Sequence, residues 1–351
     1  MENKLPEREL ILPLSKLGIG GISSGLELGI GADLAIQDML SSAWSLGIRY
    51  FDTSPSYGNG LGEIRTGSFL NGEHKDDYTI STKIGFRSDY DNRLSRTNKA
   101  ARANPFSQKI GCYTALEIRR CIDRSLHRLG AEVIDIIFIE ESEISRVNSD
   151  LSENFQYPHW EAAAELESIR EEGIIKNWGI SSGNINLILE YLKRYSPDYI
   201  LLVSQYSLID HVDALSRLFP ICIAQNVNII IGAPLNGGFL TGKPDYNYSS
   251  KGAPKGALER LKSIGRIAER YQVDLLTASL HFCAAPALVK AVICGARNAG
   301  QLREIVDCFS NRQIPMVFWE ELKANGLIAE FAPIPQLDDV LERELFTNKK
   351  S

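Results

Sequence analysis

The sequence predicts one (β/α)8 barrel, a closed ring of parallel strands sheathed by helices. From residue 15 to about residue 310, short apolar runs alternate with amphipathic stretches. Continuous apolar strands separated by helices imply a parallel sheet covered on both faces. Eight such units suit a closed barrel better than an open doubly wound sheet. Residues able to do chemistry also gather at the predicted strand ends, which is where barrels of this kind carry their sites.

The predicted strands are KLGIGG (16–21), IRYFD (48–52), YTISTK (78–83), VIDIIFI (133–139), IKNWGIS (175–181), YILLVS (199–204), VNIIIGA (227–233) and VKAVICG (289–295). Seven helical stretches fall between them and another follows the last. The clearest helix is expected from Thr114 to Leu129, where Thr114 and Glu117 form a capping box and Gly130 ends the run. Another starts near Trp160 and closes at Gly173. An open nucleotide-binding sheet would want G-x-G-x-x-G after the first strand. The cluster Gly58, Gly60 and Gly62 instead follows the second with different spacing, and the next strand ends in Thr82 and Lys83 with no acid to take a ribose.

No repeat or low-complexity tract marks a second domain, so residues 1–351 are read as a single barrel domain. A long polar loop follows the third strand at 86–110. It carries Arg87, Arg93, Arg96, Lys99, Arg102 and Lys109 against Asp89 and Asp91, and reads as a basic lid over an anionic ligand or as a flexible insertion. After a C-terminal helix, residues 332–351 form a tail rich in charge and proline.

Apolar content of 44% and charged content of 23% are those of a soluble globular protein. A formal net charge of −6 argues against a nucleic-acid partner. No run of roughly 18 apolar residues offers a membrane span, and the charged, proline-containing N-terminus lacks a signal-peptide core. The cysteines at 112, 121, 222, 283, 294 and 308 lie far apart with no C-x-x-C pair, as expected of reduced thiols in a cytoplasmic protein. No H-E-x-x-H and no His/Cys/acid cluster at ligand spacing occurs, so no metal is expected.

The segment FDTSPSYGNGLGE, 51–63, with the ISTK ending at Lys83, places an acid at one strand end, a tyrosine in the following loop and a lysine at the next strand end. A lysine ammonium beside a phenol is expected to lower its pKa toward working pH, so that Tyr57 can exchange a proton with a substrate oxygen. Asp52 would keep Lys83 charged and oriented. Glu140, just past the fourth strand, reaches the same barrel end.

These motifs resemble the aldo-keto reductase family, in particular its branch of aldose (fucose or threo-aldose) dehydrogenases and pyridoxal dehydrogenase, from about Leu14 to about Ile328. GIRYFDTSPSYGNGLGE matches the family's Asp and Tyr segment, and ISTK its lysine. EEGIIKNWGISSGN resembles the segment whose serines hold the nicotinamide amide, implying Ser181 and Ser182, and SQYSLID implies Gln205 for the same amide. APLNGGFLTGK resembles the loop over the cofactor pyrophosphate, implying Leu235, Gly237 and Leu240. ICGARNAGQLREI resembles the adenosine-phosphate loop, implying Gly295, Arg297, Gln301 and Glu304. The resemblance therefore implies an NAD(P)-dependent oxidoreductase moving hydride between nicotinamide and a small carbonyl, lactol or sugar-like substrate. Tyr57 is then the general acid/base. Arg297 suits a 2′-phosphate and favours NADPH, with NADH the alternative.

In one place the pattern departs. The family reads roughly D-I-L-L-I-H-D at the fourth strand and this chain has DIIFIEE, with Glu140 where the histidine stands. None of the histidines at 74, 127, 159, 211 and 281 sits at a strand end. A protonated Glu140 would donate to a carbonyl or enone, as in the steroid 5β-reductase branch, which reduces a conjugated C=C bond. An ionised one would bind a hydroxyl or cationic group. The alternatives are an enone reductase, a binding or regulatory protein with altered catalysis, or a redox-neutral biosynthetic enzyme. Substrate identity, reaction direction and oligomeric state stay open at this level.

Overall fold

The computed structural model of the protein describes residues 16–21, 32–85, 114–140, 159–247, 252–310 and 312–335. Strands β1 (Leu17–Gly20), β2 (Tyr50–Asp52), β3 (Thr79–Ile84), β4 (Ile134–Glu140), β5 (Ile175–Ser182), β6 (Tyr199–Val203), β7 (Asn228–Gly232) and β8 (Val289–Cys294) close a barrel in chain order. Every neighbouring pair is parallel, and β1 against β8 completes the ring. The expected basic loop at 86–110 and tail residues 336–351 lie outside the described residues.

The connections carry α1 (Ala32–Ser45), α2 (Leu61–Leu70), α3 (Ala115–Leu129), α4 (His159–Glu171), α5 (Ile185–Leu192) and α6 (Phe219–Ala224), the last preceded by a π turn at Ala214–Leu218. Between β7 and β8 the chain forms two helices, α7 (Ala257–Arg270) and α8 (Leu275–Ala284), where one was expected. The Asp274 carboxylate accepts from Thr277 N at 2.9 Å and starts the second, so a cap divides what reads in sequence as one apolar run. After β8 come α9 (Ala299–Ser310) and α10 (Met316–Ala324), again two for one. The predicted box at α3 is formed reciprocally by Thr114 and Glu117, with Gly130 at φ +62° closing the helix. Helices α2 and α3 approach closely because of Gly67, where a Cβ would stand 2.3 Å from Leu129 O.

Strand alternation sorts the apolar residues into two cores. Tyr50, Ile136, Phe138, Tyr199, Leu201, Ile230, Ala291 and Ile293 fill the barrel interior. The outward residues, among them Phe51, Ile137, Trp178, Ile200 and Val292, pack with the helices. At the strand beginnings, Asp135 accepts Ile80 N at 2.8 Å and pairs with Lys75 at 2.5 Å and Lys176 at 2.8 Å. Those ionic groups are mutually satisfied.

His211, in the loop after β6, ties that loop to the C-terminal segment. Its Nε2 accepts Ala329 N at 3.0 Å, so Nδ1 carries the proton and donates to Ser207 O at 3.0 Å. Arg260 of α7 reinforces the clamp by donating to Leu327 O at 2.6 Å and Ile209 O at 3.2 Å. Burial first, and the Arg260 charge second, depress the His211 pKa to about 4. The native imidazole thus stays neutral at pH values where the unfolded one, with an ordinary pKa of about 6.5, takes a proton. Stability is therefore expected to be full above about pH 6.5 and to fall as the pH drops toward 4, by up to about 3 kcal/mol from this group. Urea unfolding at pH 7, 5.5 and 4.5 checks this. His211→Gln should be less stable at pH 7 yet lose this part of the slope.

Candidate active site

The site is built at the carboxyl ends of β2 to β4. Asp52 ends β2 and registers with Ser81 of β3, and Lys83 lies two residues on, on the same inward face. Lys83 Nζ donates to Asp52 Oδ2 at 2.7 Å and to Thr53 O at 2.8 Å. The other carboxylate oxygen of Asp52 accepts from Ser81 Oγ at 2.7 Å, and Ser81 is in turn 2.9 Å from Tyr50 OH. Both charged groups are buried. Burial alone would lower the Lys83 pKa, but Asp52, then Tyr57 and Glu140, outweigh it and hold the ammonium above the ordinary lysine value.

Tyr57 reaches the pair from a tight loop. Its N–H donates to Ser54 O and its carbonyl accepts Gly62 N, both at 3.0 Å. The Lys83 ammonium stands 5.0 Å from the ring centre. Here the expectation of a lowered phenol pKa is corrected. Burial dominates and raises it, Lys83 pulls it down, and Asp52 and Glu140 raise it further. The phenol therefore keeps its proton.

Glu140 ends β4, half-buried, opposite Ser181 of β5. The Ser54 hydroxyl donates to its Oε2 at 3.4 Å. Ser54, Ser56, Thr53 and Ser81 join the site without belonging to the catalytic motif of Asp52, Tyr57 and Lys83. Only Ser81 had a legible signal, since it shares the inward face of β3 with Lys83. The buried carboxylate of Glu63, also outside that motif, accepts Thr82 Oγ1 at 2.8 Å and Arg128 Nε at 2.6 Å and fastens the tyrosine loop to β3 and α3.

The remaining predicted residues follow the carboxyl ends of β5 to β8. Ser181 and Ser182 end β5, and Ser182 Oγ accepts Asn184 N at 3.0 Å. Gln205 lies two residues past β6, half-buried. Beside it Ser204 is held at φ +58°, its hydroxyl buried with no hydrogen-bond partner among the described residues. After β7, Leu235 leads into a turn with Gly237 and Gly238 at φ +74° and +101°, while Leu240 is buried in the outer core and anchors the loop. At φ +101° Gly238 takes a backbone conformation that side-chain-bearing residues rarely adopt, so the turn favours glycine there. Gly295 and Arg297 follow β8, both exposed. Gln301 Oε1 accepts Arg297 N at 2.9 Å and is engaged within its own loop, and Glu304 is exposed on α9.

The mouth suits a nicotinamide dinucleotide. The Ser204 hydroxyl, without a hydrogen-bond partner among the described residues, can bond a carboxamide, and exposed Arg297 can meet a phosphate. No group of three or more His, Cys, Asp or Glu among the described residues could hold a metal ion. No described helix is long and apolar enough to cross a membrane.

Comparison with known proteins agrees with this geometry. The pattern of the aldo/keto reductase family matches residues 16–325. D-threo-aldose 1-dehydrogenase of Pseudomonas sp is 30% identical over 331 residues, covering 90% of this chain and 95% of that protein. Pyridoxal 4-dehydrogenase of Microbacterium luteolum is 29% identical over 341 residues, covering 91% and 96%. The holo form of an aldo-keto reductase from Bacillus halodurans superposes with a TM-score of 0.68 at 23% identity, covering 93% and 95%.

Breaking one side of the Asp52–Lys83 pair should cost more than removing both. Asp52→Asn leaves a buried ammonium without its counter-charge and is expected to lose about 3–5 kcal/mol of stability, as is Lys83→Met. The double variant should recover part of that loss. Urea midpoints of the three variants test it, and simple additivity would contradict the coupling.

Proposed function

This chain belongs to the aldo/keto reductase family, and we propose that within it Tyr57 is the proton-transfer residue of an oxidoreductase acting on a small carbonyl, lactol or sugar-like substrate. Its broader activity is NAD(P)-dependent oxidoreduction of carbonyl or sugar substrates. The observation that carries the residue-level reading is the buried Asp52–Lys83 pair beneath Tyr57 at the strand ends.

When bound, the nicotinamide cofactor supplies or takes the hydride. In the reducing direction the Tyr57 hydroxyl, which rests protonated, gives its proton to the substrate oxygen. The phenolate left behind is stabilised by the Lys83 ammonium, which Asp52 keeps charged and in place. Glu140, where the family resemblance places a histidine, holds a polar group of the substrate.

Our reading assigns the cofactor amide to Ser181, Ser182 and Gln205, the pyrophosphate to the loop of Leu235, Gly237 and Leu240, and the adenosine phosphate to Gly295, Arg297, Gln301 and Glu304. NADPH is favoured over NADH because of Arg297. The basic stretch at 86–110 supports an anionic or sugar-like substrate. The buried thiols of Cys121, Cys222, Cys283, Cys294 and Cys308, none of them in a disulfide, support a cytoplasmic setting.

Fluorescence titration is expected to show NADPH binding in the low micromolar range, roughly −7 to −8 kcal/mol. Arg297→Ala should weaken NADPH about tenfold and leave NADH nearly unchanged; equal losses would remove Arg297 from the 2′-phosphate. In a screen of aldoses, pyridoxal and simple aldehydes, Tyr57→Phe should bind cofactor normally and lose at least about two orders of magnitude in turnover. Near-normal turnover in Tyr57→Phe would end this mechanism.

A further inference from the structure

The tyrosine loop does more than deliver Tyr57. Ser54 is fully buried immediately after the β2 strand, and its hydroxyl touches three groups. It accepts Ser56 N–H at 3.2 Å, lies 2.8 Å from Ser56 Oγ, and donates to Glu140 Oε2 at 3.4 Å. The backbone N–H can only donate, so it uses one lone pair of Ser54 Oγ. A hydroxyl has a single proton to give. If Ser54 gives it to Glu140, the Ser56 hydroxyl must in turn donate to Ser54, and the chain runs Ser56 to Ser54 to Glu140. The reverse order would need a proton on Glu140 and a Ser56 hydroxyl that accepts.

The charges around Glu140 favour the first order. Among the described residues the ionisable groups coupled to the site are Asp52 at the end of β2, Tyr57 in the loop and Lys83 on β3. Strand β5, on its other side, contributes Ser181 in register with it. Lys83 is a cation coupled to Glu140, and its ammonium is drawn upward in proton affinity by Glu140 as well as by Asp52. A hydroxyl donor on one side and an ammonium in the same cluster both stabilise a carboxylate.

We propose that Ser54, aimed by Ser56, is a positioning residue that holds Glu140 as an oriented, ionised hydrogen-bond acceptor in the substrate mouth. The inference deepens the oxidoreductase reading, on which it rests for the role of Glu140 in turnover. An ionised Glu140 accepts and cannot donate, so the substrate group that it orients carries an O–H. That condition is met by a lactol or polyol and not by an enone oxygen.

The test is a carbon-13 NMR titration of protein labelled at the glutamate carboxyl carbon, with the Glu140 signal assigned by its loss in Glu140→Gln. Losing a donor to the ionised form must raise the midpoint. Ser54→Ala is expected to shift Glu140 upward by about one pH unit, and Ser56→Ala to shift it in the same direction by less. A purely structural role for these serines would leave that midpoint alone. An unmoved or lowered midpoint in Ser54→Ala overturns the proposal, and a shift in Ser54→Ala alone removes Ser56 from it. Should Ser54→Ala fail to fold, an unmoved midpoint in Ser56→Ala overturns it equally. Failed cofactor binding or an active Tyr57→Phe would sink the oxidoreductase reading without touching this titration.

Discussion

One buried ion pair governs how this molecule can be built. An ammonium and a carboxylate are taken out of water between β2 and β3, and each is tolerable only because the other is there. The strand register that seats Asp52 beside Ser81, with Lys83 two residues further on, is therefore fixed by charge as well as by apolar burial. The Thr53 carbonyl and the Ser81 hydroxyl take up remaining hydrogen-bonding capacity, which leaves little freedom for the backbone around the pair. The phenol above it inherits that rigidity.

Electrostatics at the mouth oppose one another in a useful way. Lys83 alone would loosen the proton of Tyr57, while crowding and two nearby carboxylates hold it. A site that keeps its proton at rest and parts with it when a substrate oxygen approaches needs that kind of balance. The Glu140 carboxylate shifts the balance toward retention.

Much of this was legible in the sequence because barrels obey two simple periods. Apolar runs gave the strands to within a residue or two, and the position of Asp52 or Lys83 at a run's end located the mouth. What stayed hidden depended on contacts between distant segments. The Asp274 cap that splits α7 from α8 looks like any loop acid until Thr277 is seen beneath it. The direction of the Tyr57 shift depends on how many atoms surround the hydroxyl, which no motif records. Ser54 and Ser56 read as turn residues, and only the meeting of the β2 loop with the end of β4 gives them a partner in Glu140.

Arg128 sits on the outer shell of the barrel, yet its stem fills the space beside Gly60, where a Cβ would come within 2.7 Å of Arg128 Cδ. Its guanidinium grips the fully buried Glu63. Removing Arg128 would leave the Glu63 carboxylate buried without its cation, so the tyrosine loop and α3 cannot be exchanged independently of one another.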